Sequence, residues 1–398
     1  MLSLTLICSL STAPIKHLQT IKVSSKPFQI NIASNSFNLA VSHVSDSMNS
    51  LPPNLSIYTI GISFAALEQV VTGPCYSLGR SLAPFEFGFY ASAPSSAFRW
   101  GDPGSLLVKA IPPLEKFYKV PYKGVPYGET MGVSNRGDFV VACSPLEKDD
   151  NCLMIEQNPS GKDEDTIEKI KILKIPERVE LFGLSVCVSG NGSVIAVISK
   201  LKGFDDNLVL SLFDRWLNKE IKKFIIPLNG RKISVRESCI SMMFLDEKHL
   251  LLGLSDKDKI MMYKKTTGND WVLSNSLNIN ILSMGKIDNN IIVNTKDGTV
   301  KIIDKNFVIK NQIKLTKTIN NGTFTKITGG KDWFAILEES SDERKIHIYT
   351  VRIPSFIKCF GIFLLFVLLV VFYIFIRSKI DFSRIISKLQ KRKNTKQI

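Results

Sequence analysis

The feature that most constrains this chain is a cassette of short apolar stretches and tight polar turns, which recurs from residue 128 onward. The first cassette reads ETMGV-SNRGD-FVVAC-SPLEKDD-NCLMIEQ, and the second reads LSVCV-SGNG-SVIAVIS-KLKGFDD-NLVLSLFD. Gly, Asn, Asp and Ser dominate the turns, and these residues tolerate the left-handed dihedral angles that tight hairpins need. The pattern therefore predicts a series of antiparallel hairpins.

Five cassettes can be read in this way, and their middle strands begin near Phe139, Val194, Leu250, Ile291 and Trp333. A further strand-like stretch, such as TIEKIKILKIP or EIKKFIIPL, lies between cassettes. Four strands per unit at a period of about 40 to 55 residues is the pattern of a β-propeller blade. The predicted fold class is therefore all-β, a WD-repeat-like β-propeller, although no WD dipeptide occurs. A generic β-sandwich is the alternative.

Two earlier segments, PFQINIASNSFNLAVSHVS and FEFGFYASAPSSAFRW, have the same strand-turn-strand pattern and bring the predicted total to seven blades. Composition changes near residue 110, because Lys, Arg, Asp and Glu are rare before it. We therefore divide the chain into a divergent N-terminal region that is a candidate for the first blades, propeller repeats, a transmembrane helix and a basic tail. The respective ranges are 1–110, 111–352, 356–376 and 377–398.

The transmembrane prediction depends on the run CFGIFLLFVLLVVFYIFI, which covers residues 359–376 and contains no charge. As a helix it would be about 27 Å long, close to the hydrocarbon thickness of a bilayer. The run is apolar on every face, which favours a single membrane span over a helix lying on a soluble core. A wholly buried core helix is the alternative. The predicted anchor residues are Phe356, Phe360, Leu364, Leu368, Phe372 and Ile376.

The net charge of +15 is concentrated in part at the chain's end, where eight basic residues accompany one acidic residue, Asp381. The remaining charge is spread over a long chain that also carries many Asp and Glu, so we expect no nucleic-acid partner. The tail is predicted either to lie on anionic lipid as an interfacial helix or to remain solvated. Its basic residues include Arg377, Lys379, Arg384, Lys388, Lys391, Arg392 and Lys393.

The seven cysteines show no CxxC motif and no regular spacing. Cys143 and Cys187 lie in apolar runs, where a thiol behaves as a small core residue, and this usage favours a reducing compartment. No HExxH, GxxxxGK[ST], GxGxxG or GxSxG motif occurs, and His249 and His347 are predicted to be structural. The residues themselves therefore predict no classical active site and no cofactor.

Two arguments about membrane sidedness oppose each other. The basic tail favours a propeller outside the cytosol, because Lys and Arg flanking a span prefer the cytosolic side. The N-terminal stretch LSLTLICSL lacks a basic flank and makes a poor signal peptide, and the cysteine usage also favours the cytosol. We expect a cytosolic propeller.

The order of propeller, membrane span and short tail resembles the membrane-bound guanine-nucleotide exchange factors that start COPII coat assembly, the prolactin-regulatory-element-binding protein family. The motif that carries the resemblance is GVPYGETMGVSNRGDFVVACSPLEKDDNCLMIE, with Pro126-Tyr127, a strand from Phe139 to Ala142, and Asn151 before the next strand. In that family the loop before this Asn is rich in glycine, holds a potassium ion and meets the small GTPase. Here CSPLEKDD replaces the glycine run.

The resemblance implies a location in the endoplasmic reticulum membrane and an exchange reaction on the small GTPase of the COPII coat. It places Asp149, Asp150 and Asn151 in the loop that contacts the GTPase, and membrane lipid becomes the second partner. Asp149-Asp150 and Asp205-Asp206 occupy the same place in successive cassettes, which the residues alone explain as solvated turns. Two other hypotheses stand beside the exchange factor: a single-pass receptor with an extracytosolic propeller, and a scaffold without exchange activity.

Overall fold

The computed structural model describes most of residues 15–351 and short parts of the segment beyond them. The described ranges are 15–23, 29–44, 54–61, 64–72, 78–94, 105–120, 127–146, 151–157, 167–204, 207–228, 240–315, 323–340, 343–351, 367–370, 372–374 and 376–377. The chain divides into two units, Met1–Thr350 and Val351–Ile398.

Twenty-eight strands of the described residues form seven separate four-stranded antiparallel sheets, each one blade of a propeller. The first strand, β1 (Lys16–Val23), belongs to the last blade, and blades 1 to 3 follow it in the chain. Blade 1 comprises β2 (Gln29–Ser34), β3 (Asn38–Val44), β4 (Asn54–Ile60) and β5 (Ala65–Thr72). Blade 2 comprises β6 (Leu82–Phe85), β7 (Gly88–Ala93), β8 (Ser105–Ile111) and β9 (Leu114–Val120). Blade 3 comprises β10 (Thr130–Val133), β11 (Phe139–Cys143), β12 (Cys152–Gln157) and β13 (Ile167–Ile172).

The second half of the ring repeats the arrangement. Blade 4 comprises β14 (Val179–Val188), β15 (Val194–Leu201), β16 (Asn207–Asp214) and β17 (Lys219–Pro227). Blade 5 comprises β18 (Ile240–Asp246), β19 (His249–Leu254), β20 (Lys259–Lys265) and β21 (Trp271–Asn278). Blade 6 comprises β22 (Ile281–Ile287), β23 (Asn290–Thr295), β24 (Thr299–Ile303) and β25 (Ile309–Lys314). Blade 7 comprises β26 (Thr323–Gly329), β27 (Trp333–Glu339), β28 (Arg344–Thr350) and the initial strand β1.

The predicted seven-bladed, all-β propeller is therefore confirmed, and the sandwich alternative is excluded. The five predicted middle strands coincide with β11, β15, β19, β23 and β27 within one residue. Their residues are almost wholly buried because they are covered by a neighbouring blade on each face, so the sequence shows continuous apolar runs. Fourth strands such as β17 consist mainly of exposed and half-buried residues because they lie at the rim.

Strand β1 closes the ring by pairing with β28, from Lys16 opposite Thr350 to Val23 opposite Arg344. This closure joins residues more than 300 positions apart in sequence. Without β1, blade 7 would have three strands and the edge of β28 would be unpaired. Leu18, Ile21 and Val23 pack against the same hydrophobic cluster as Ile346 and Ile348. Similar clusters fill the spaces between other neighbouring blades, so the core is a ring of sheet-to-sheet contacts.

Antiparallel order gives the propeller two distinct faces. The turns from the first to the second strand and from the third to the fourth strand lie on one face, which we call the lower face. The connections from the second to the third strand, and from each blade to the next, lie on the opposite, upper face. Backbone hydrogen bonds between lower-face turns link neighbouring blades, as from Asn135 N to Gly190 O (2.8 Å) and from Asp288 N to Gly330 O (3.0 Å).

The C-terminal prediction is not confirmed. Among the residues that the structure describes, no helix is long and apolar enough to cross a membrane. Residues 367–370, 372–374 and 376 of the predicted span and residue 377 of the predicted tail are helical. Leu368, Phe372 and Ile376 of the predicted anchor belong to these helical pieces and are exposed. Phe356, Phe360 and Leu364 lie outside the described residues, as do all of the predicted basic tail residues except Arg377, which is helical and exposed.

Candidate functional site

The candidate site is the upper-face connection between β11 and β12 of blade 3, where the resemblance places the partner-contacting loop. The structure describes residues 144–146 and 151 of this connection; Asp149 and Asp150 lie outside the described residues. Asn151 is buried, and its carbonyl accepts a hydrogen bond from the Ser144 N–H at 2.7 Å. Asn151 therefore belongs to the base of the loop.

A disulfide between Cys143 and Cys152 closes this loop at its base. The two residues are direct cross-strand partners of β11 and β12, with Cα atoms 4.1 Å apart. The neighbouring pair on the loop side, Ser144 and Asn151, is hydrogen-bonded, so Cys143 and Cys152 form a non-hydrogen-bonded pair. In antiparallel sheets the opposite side chains of such a pair lie closest to each other. The expectation that Cys143 is a reduced core thiol is wrong. The sequence spacing of the two cysteines does not show which residues of β11 and β12 lie opposite each other, because the connection between the strands is eight residues long.

Blade 4 makes room for the disulfide with a bulge in β14. Gly183 has a φ of 95°, and a Cβ atom there would lie 2.6 Å from Cys143 Cβ and 2.9 Å from Cys152 Sγ. The register of β14 shifts between Glu180 and Ser185, as expected for a bulge that includes glycine. Thr130 Oγ1 donates a hydrogen bond to the Gly183 carbonyl at 2.7 Å. The loop base is thus fixed both covalently and by the adjacent blade.

The same joint recurs in the two preceding blades with serine in place of cysteine. Ser42 Oγ donates to the Gly79 carbonyl at 2.8 Å, and Ser92 Oγ donates to the Gly128 carbonyl at 2.6 Å. Gly79 and Gly128 have φ values of 80° and 105°, and a Cβ atom on either would collide with its serine. Ser42, Ser92 and Cys143 recur at about 50 residues, one blade period. This periodic small residue is the signal that sequence reasoning missed.

Two exposed apolar side chains lie on the upper face of neighbouring blades. Leu146 of the blade 3 connection is 69% exposed, and Phe204 of the corresponding blade 4 connection is 57% exposed. Backbone hydrogen bonds hold Phe204 in a tight turn, from its N–H to Leu201 O and from Asn207 N–H to its own carbonyl. We call Leu146, Phe204 and the Cys143–Cys152 disulfide the upper-face site. Exposed apolar side chains on loops with a fixed base are suited to contact a protein.

Reactive chemistry is not evident at this site. Within the described ranges, no group of three or more His, Cys, Asp or Glu residues could hold a metal ion. The loop to which the resemblance assigns a potassium ion includes Asp149 and Asp150, which lie outside the described residues, so the ion stays a prediction. Burial raises the pKa of the Cys187 thiol, which therefore stays protonated.

The histidines described in the strands have structural environments. His347 is buried in β28, and its Nε2 lies 2.8 Å from Glu338 Oε2 while its Nδ1 lies 3.1 Å from Thr20 Oγ1. Because Thr20 belongs to β1, this network spans the closing strand pair. His249 lies 2.8 Å from Asp246 across a lower-face turn. Both residues contribute to structure, as the sequence predicted.

Comparisons with known proteins identify the fold and nothing narrower. No protein-family model matches the chain, and no curated protein sequence matches it. The solved β-propeller domain of Cps50 (Swd1) from Myceliophteria thermophila is similar in structure, with a TM-score of 0.57 and 10% sequence identity. The similarity covers 85% of this chain and 100% of that domain. Since 816 solved chains match, the fold is shared too widely to define an activity. The chain therefore folds as a seven-bladed β-propeller similar to that solved domain.

Proposed function

We propose that this protein is a membrane-held platform whose upper-face site binds a partner protein. The observation that carries the proposal is the pair of exposed apolar side chains, Leu146 and Phe204, on the upper-face loops of adjacent blades. The disulfide and Gly183 hold the base of one loop, and backbone hydrogen bonds hold the other. A preordered apolar surface loses little conformational entropy on binding, which favours protein recognition.

Site-specific photo-crosslinking tests this proposal. A photoreactive amino acid is placed at position 146 or 204 of the full chain in cells, and at Phe37 on the lower face as the control. If the proposal is right, the probes at positions 146 and 204 give the same discrete adduct. Phe204→Ser should abolish the adduct formed from position 146, and Leu146→Ser should abolish the adduct formed from position 204. Different adducts at the two upper-face positions, or no adduct at either, would exclude a shared binding surface.

A narrower version of the proposal identifies the partner as the small GTPase of the COPII coat and the activity as guanine-nucleotide exchange at the endoplasmic reticulum membrane. Its support is the order of the segments, with a propeller that ends at Thr350 followed by an apolar run from residue 359. Fluorescent-nucleotide release from the purified GTPase tests it directly. If the protein accelerates nucleotide release and Leu146→Ser or Phe204→Ser weakens that acceleration, exchange activity is supported. If the rate of release is unchanged, the exchange proposal is wrong and only the binding platform stays proposed.

The disulfide favours a second candidate, a single-pass receptor with its propeller outside the cytosol. Disulfides persist in oxidising compartments and are rare in the cytosol, so the pairing of Cys143 with Cys152 opposes the inference of a reducing compartment from cysteine spacing. Protease treatment of sealed microsomes separates the candidates. Digestion of the propeller from outside supports the cytosolic platform and permits the GTPase partner, and protection until detergent is added supports the receptor.

A further inference from the structure

We propose that the lower face of the propeller lies on the bilayer surface and inserts aromatic and aliphatic turn residues among neutral phospholipid headgroups. The inference rests on the proposed membrane attachment and adds an orientation to it. The upper-face site would then point away from the membrane, toward its partner.

The path of the chain supports this orientation. Strand β28 is the third strand of blade 7, and third strands end on the lower face, where Thr350 lies. The apolar run begins at residue 359, so only residues 352–358 separate it from the end of the propeller described at Val351. Seven residues span at most about 25 Å even when fully extended. The chain therefore leaves the propeller toward this run from the lower face.

The side chains of the lower face have the matching chemistry. Exposed aromatic and aliphatic residues lie in or next to its turns in blades 1, 2 and 4. They are Phe37, Phe64, Phe87, Leu114, Trp216 and Leu217, and Val308 and Ile309 are also exposed at the corresponding turn of blade 6. Single exposed apolar residues are ordinary, but repeated aromatic residues at the turns of one face are typical of surfaces that enter a membrane interface. Their exposure has no explanation within the propeller's own core.

Trp216 is held in an outward position by its neighbour Arg215. The Arg215 guanidinium lies 4.0 Å from the centre of the Phe139 ring and 4.5 Å from that of the Trp216 ring. Arg215 is itself buried, and its Nε lies 3.5 Å from Glu156 Oε1. The indole is thus stacked on a fixed cation while Trp216 remains 65% exposed. This arrangement presents an aromatic ring to the surroundings at little cost in side-chain entropy.

The charges of the lower-face turns indicate the lipid class. Basic and acidic residues are interspersed there, with no excess of basic residues. The described ones are Arg136, Arg215, Lys248, Lys305 and Lys331, with Glu86, Asp138, Glu247, Asp270, Asp288, Asp304 and Asp332. A surface of mixed sign gains little from an anionic membrane, so we assign the contact to a neutral phosphatidylcholine interface and expect it to be insensitive to salt.

Fluorescence quenching of a single introduced tryptophan tests the inference in the full chain. The background is Trp216→Phe, which keeps Trp100, Trp271 and Trp333. Its emission in phosphatidylcholine vesicles, with or without bromine on the acyl chains near the headgroups, is subtracted from that of each variant. Phe37→Trp reports the lower face, and Phe204→Trp is the matched control, because the two phenylalanines are 59% and 57% exposed on opposite faces. We expect brominated lipid to reduce the emission added by Phe37→Trp by about half, as for an interfacial tryptophan, and to leave the emission added by Phe204→Trp nearly unchanged.

Vesicle flotation at alkaline pH checks attachment separately. If the chain fails to float, the proposed membrane attachment is wrong, and the orientation fails with it. If it floats and neither tryptophan is quenched, attachment stands and the orientation is overturned. Equal quenching at both positions, or stronger quenching at position 204, also overturns it. Selective quenching that persists in high salt supports the neutral-lipid contact, and selective quenching lost in high salt contradicts that lipid assignment.

Discussion

The closing blade and the joint between blades 3 and 4 both stabilise the propeller ring, but through different contacts. Blade 7 is completed by β1 from the opposite end of the described propeller, through a strand ladder and the His347–Thr20 contact. The blade 3–4 joint uses a disulfide seated against Gly183. The first arrangement connects residues distant in sequence, and the second stiffens a hairpin that is already local. We therefore expect the closing blade to govern the stability of the whole ring and the disulfide to govern one loop.

Removal of β1 should have the largest effect. A chain that starts at residue 25 loses the burial of Leu18, Ile21 and Val23 and exposes the edge of β28. We expect the free energy of unfolding to fall by about 4 kcal/mol or more, since each of these side chains contributes about 1 to 1.5 kcal/mol and the ladder adds to it. Urea denaturation measures the loss, and a peptide of residues 16–23 should restore part of it. An unchanged midpoint would mean that the ring does not depend on β1.

Gly183→Ala should have the next largest effect, because its methyl group would enter the space of the disulfide at a φ of 95°. We expect a loss of about 3 kcal/mol from steric overlap and backbone strain together. Gly203→Ala is the matched control: its φ is 79°, but no atom lies within 4 Å of the place its methyl group would take, so strain alone should cost about 1 kcal/mol. Equal losses in thermal or urea unfolding would argue against a packed joint.

Replacement of both cysteines, Cys143→Ser with Cys152→Ser, measures the contribution of the disulfide to stability. A loop of this length predicts a loss of about 2 to 3 kcal/mol in unfolding free energy, because the unfolded chain is no longer cross-linked. The wild type in the presence of a reductant should show a similar loss, and the double variant should not respond to the reductant. A wild type whose urea midpoint is unaffected by reductant would show that the disulfide contributes nothing to stability.

Lys326 of blade 7 should make the joint between blades 7 and 1 sensitive to alkaline pH. Burial lowers the pKa of its ammonium to about 8 from an ordinary value of 10.5, although its Nζ donates to Ile30 O at 2.9 Å and to Asn31 Oδ1 at 2.6 Å. Between these two pKa values the unfolded chain holds a proton that the folded chain has released. Folding stability should therefore rise with pH across this window, by about 2 kcal/mol.

Lys326→Met isolates this contribution from the other groups that titrate at alkaline pH. The difference in unfolding free energy between wild type and variant should change from pH 8 to pH 10.5 and be constant below pH 7. A difference that does not vary with pH would show that the Lys326 pKa is close to that of an exposed lysine.

Local pattern was sufficient for the blades but not for the site. Each predicted middle strand, such as Phe139–Cys143, was readable because it is buried on both faces and flanked by turn residues. The sequence placed Asn151 directly before β12, where the structure has it, but it did not reveal the disulfide, because a register shift of one residue would have turned the two cysteines away from each other. The exposed Leu146 and Phe204 have no distinguishing pattern, since exposure is a property of the assembled ring.

The sequence by itself determined that this chain folds into successive four-stranded blades, because hairpin turns and strand periodicity are encoded within a few residues of each other. Only the tertiary structure decided that β1 completes blade 7, that Cys143 and Cys152 meet under Gly183, and that Phe37 and Phe204 lie on opposite faces. These relations depend on pairing register and on closure between residues as far apart as Lys16 and Thr350. No local preference of the chain specifies them, because their free energy comes from contacts that form only when the ring closes.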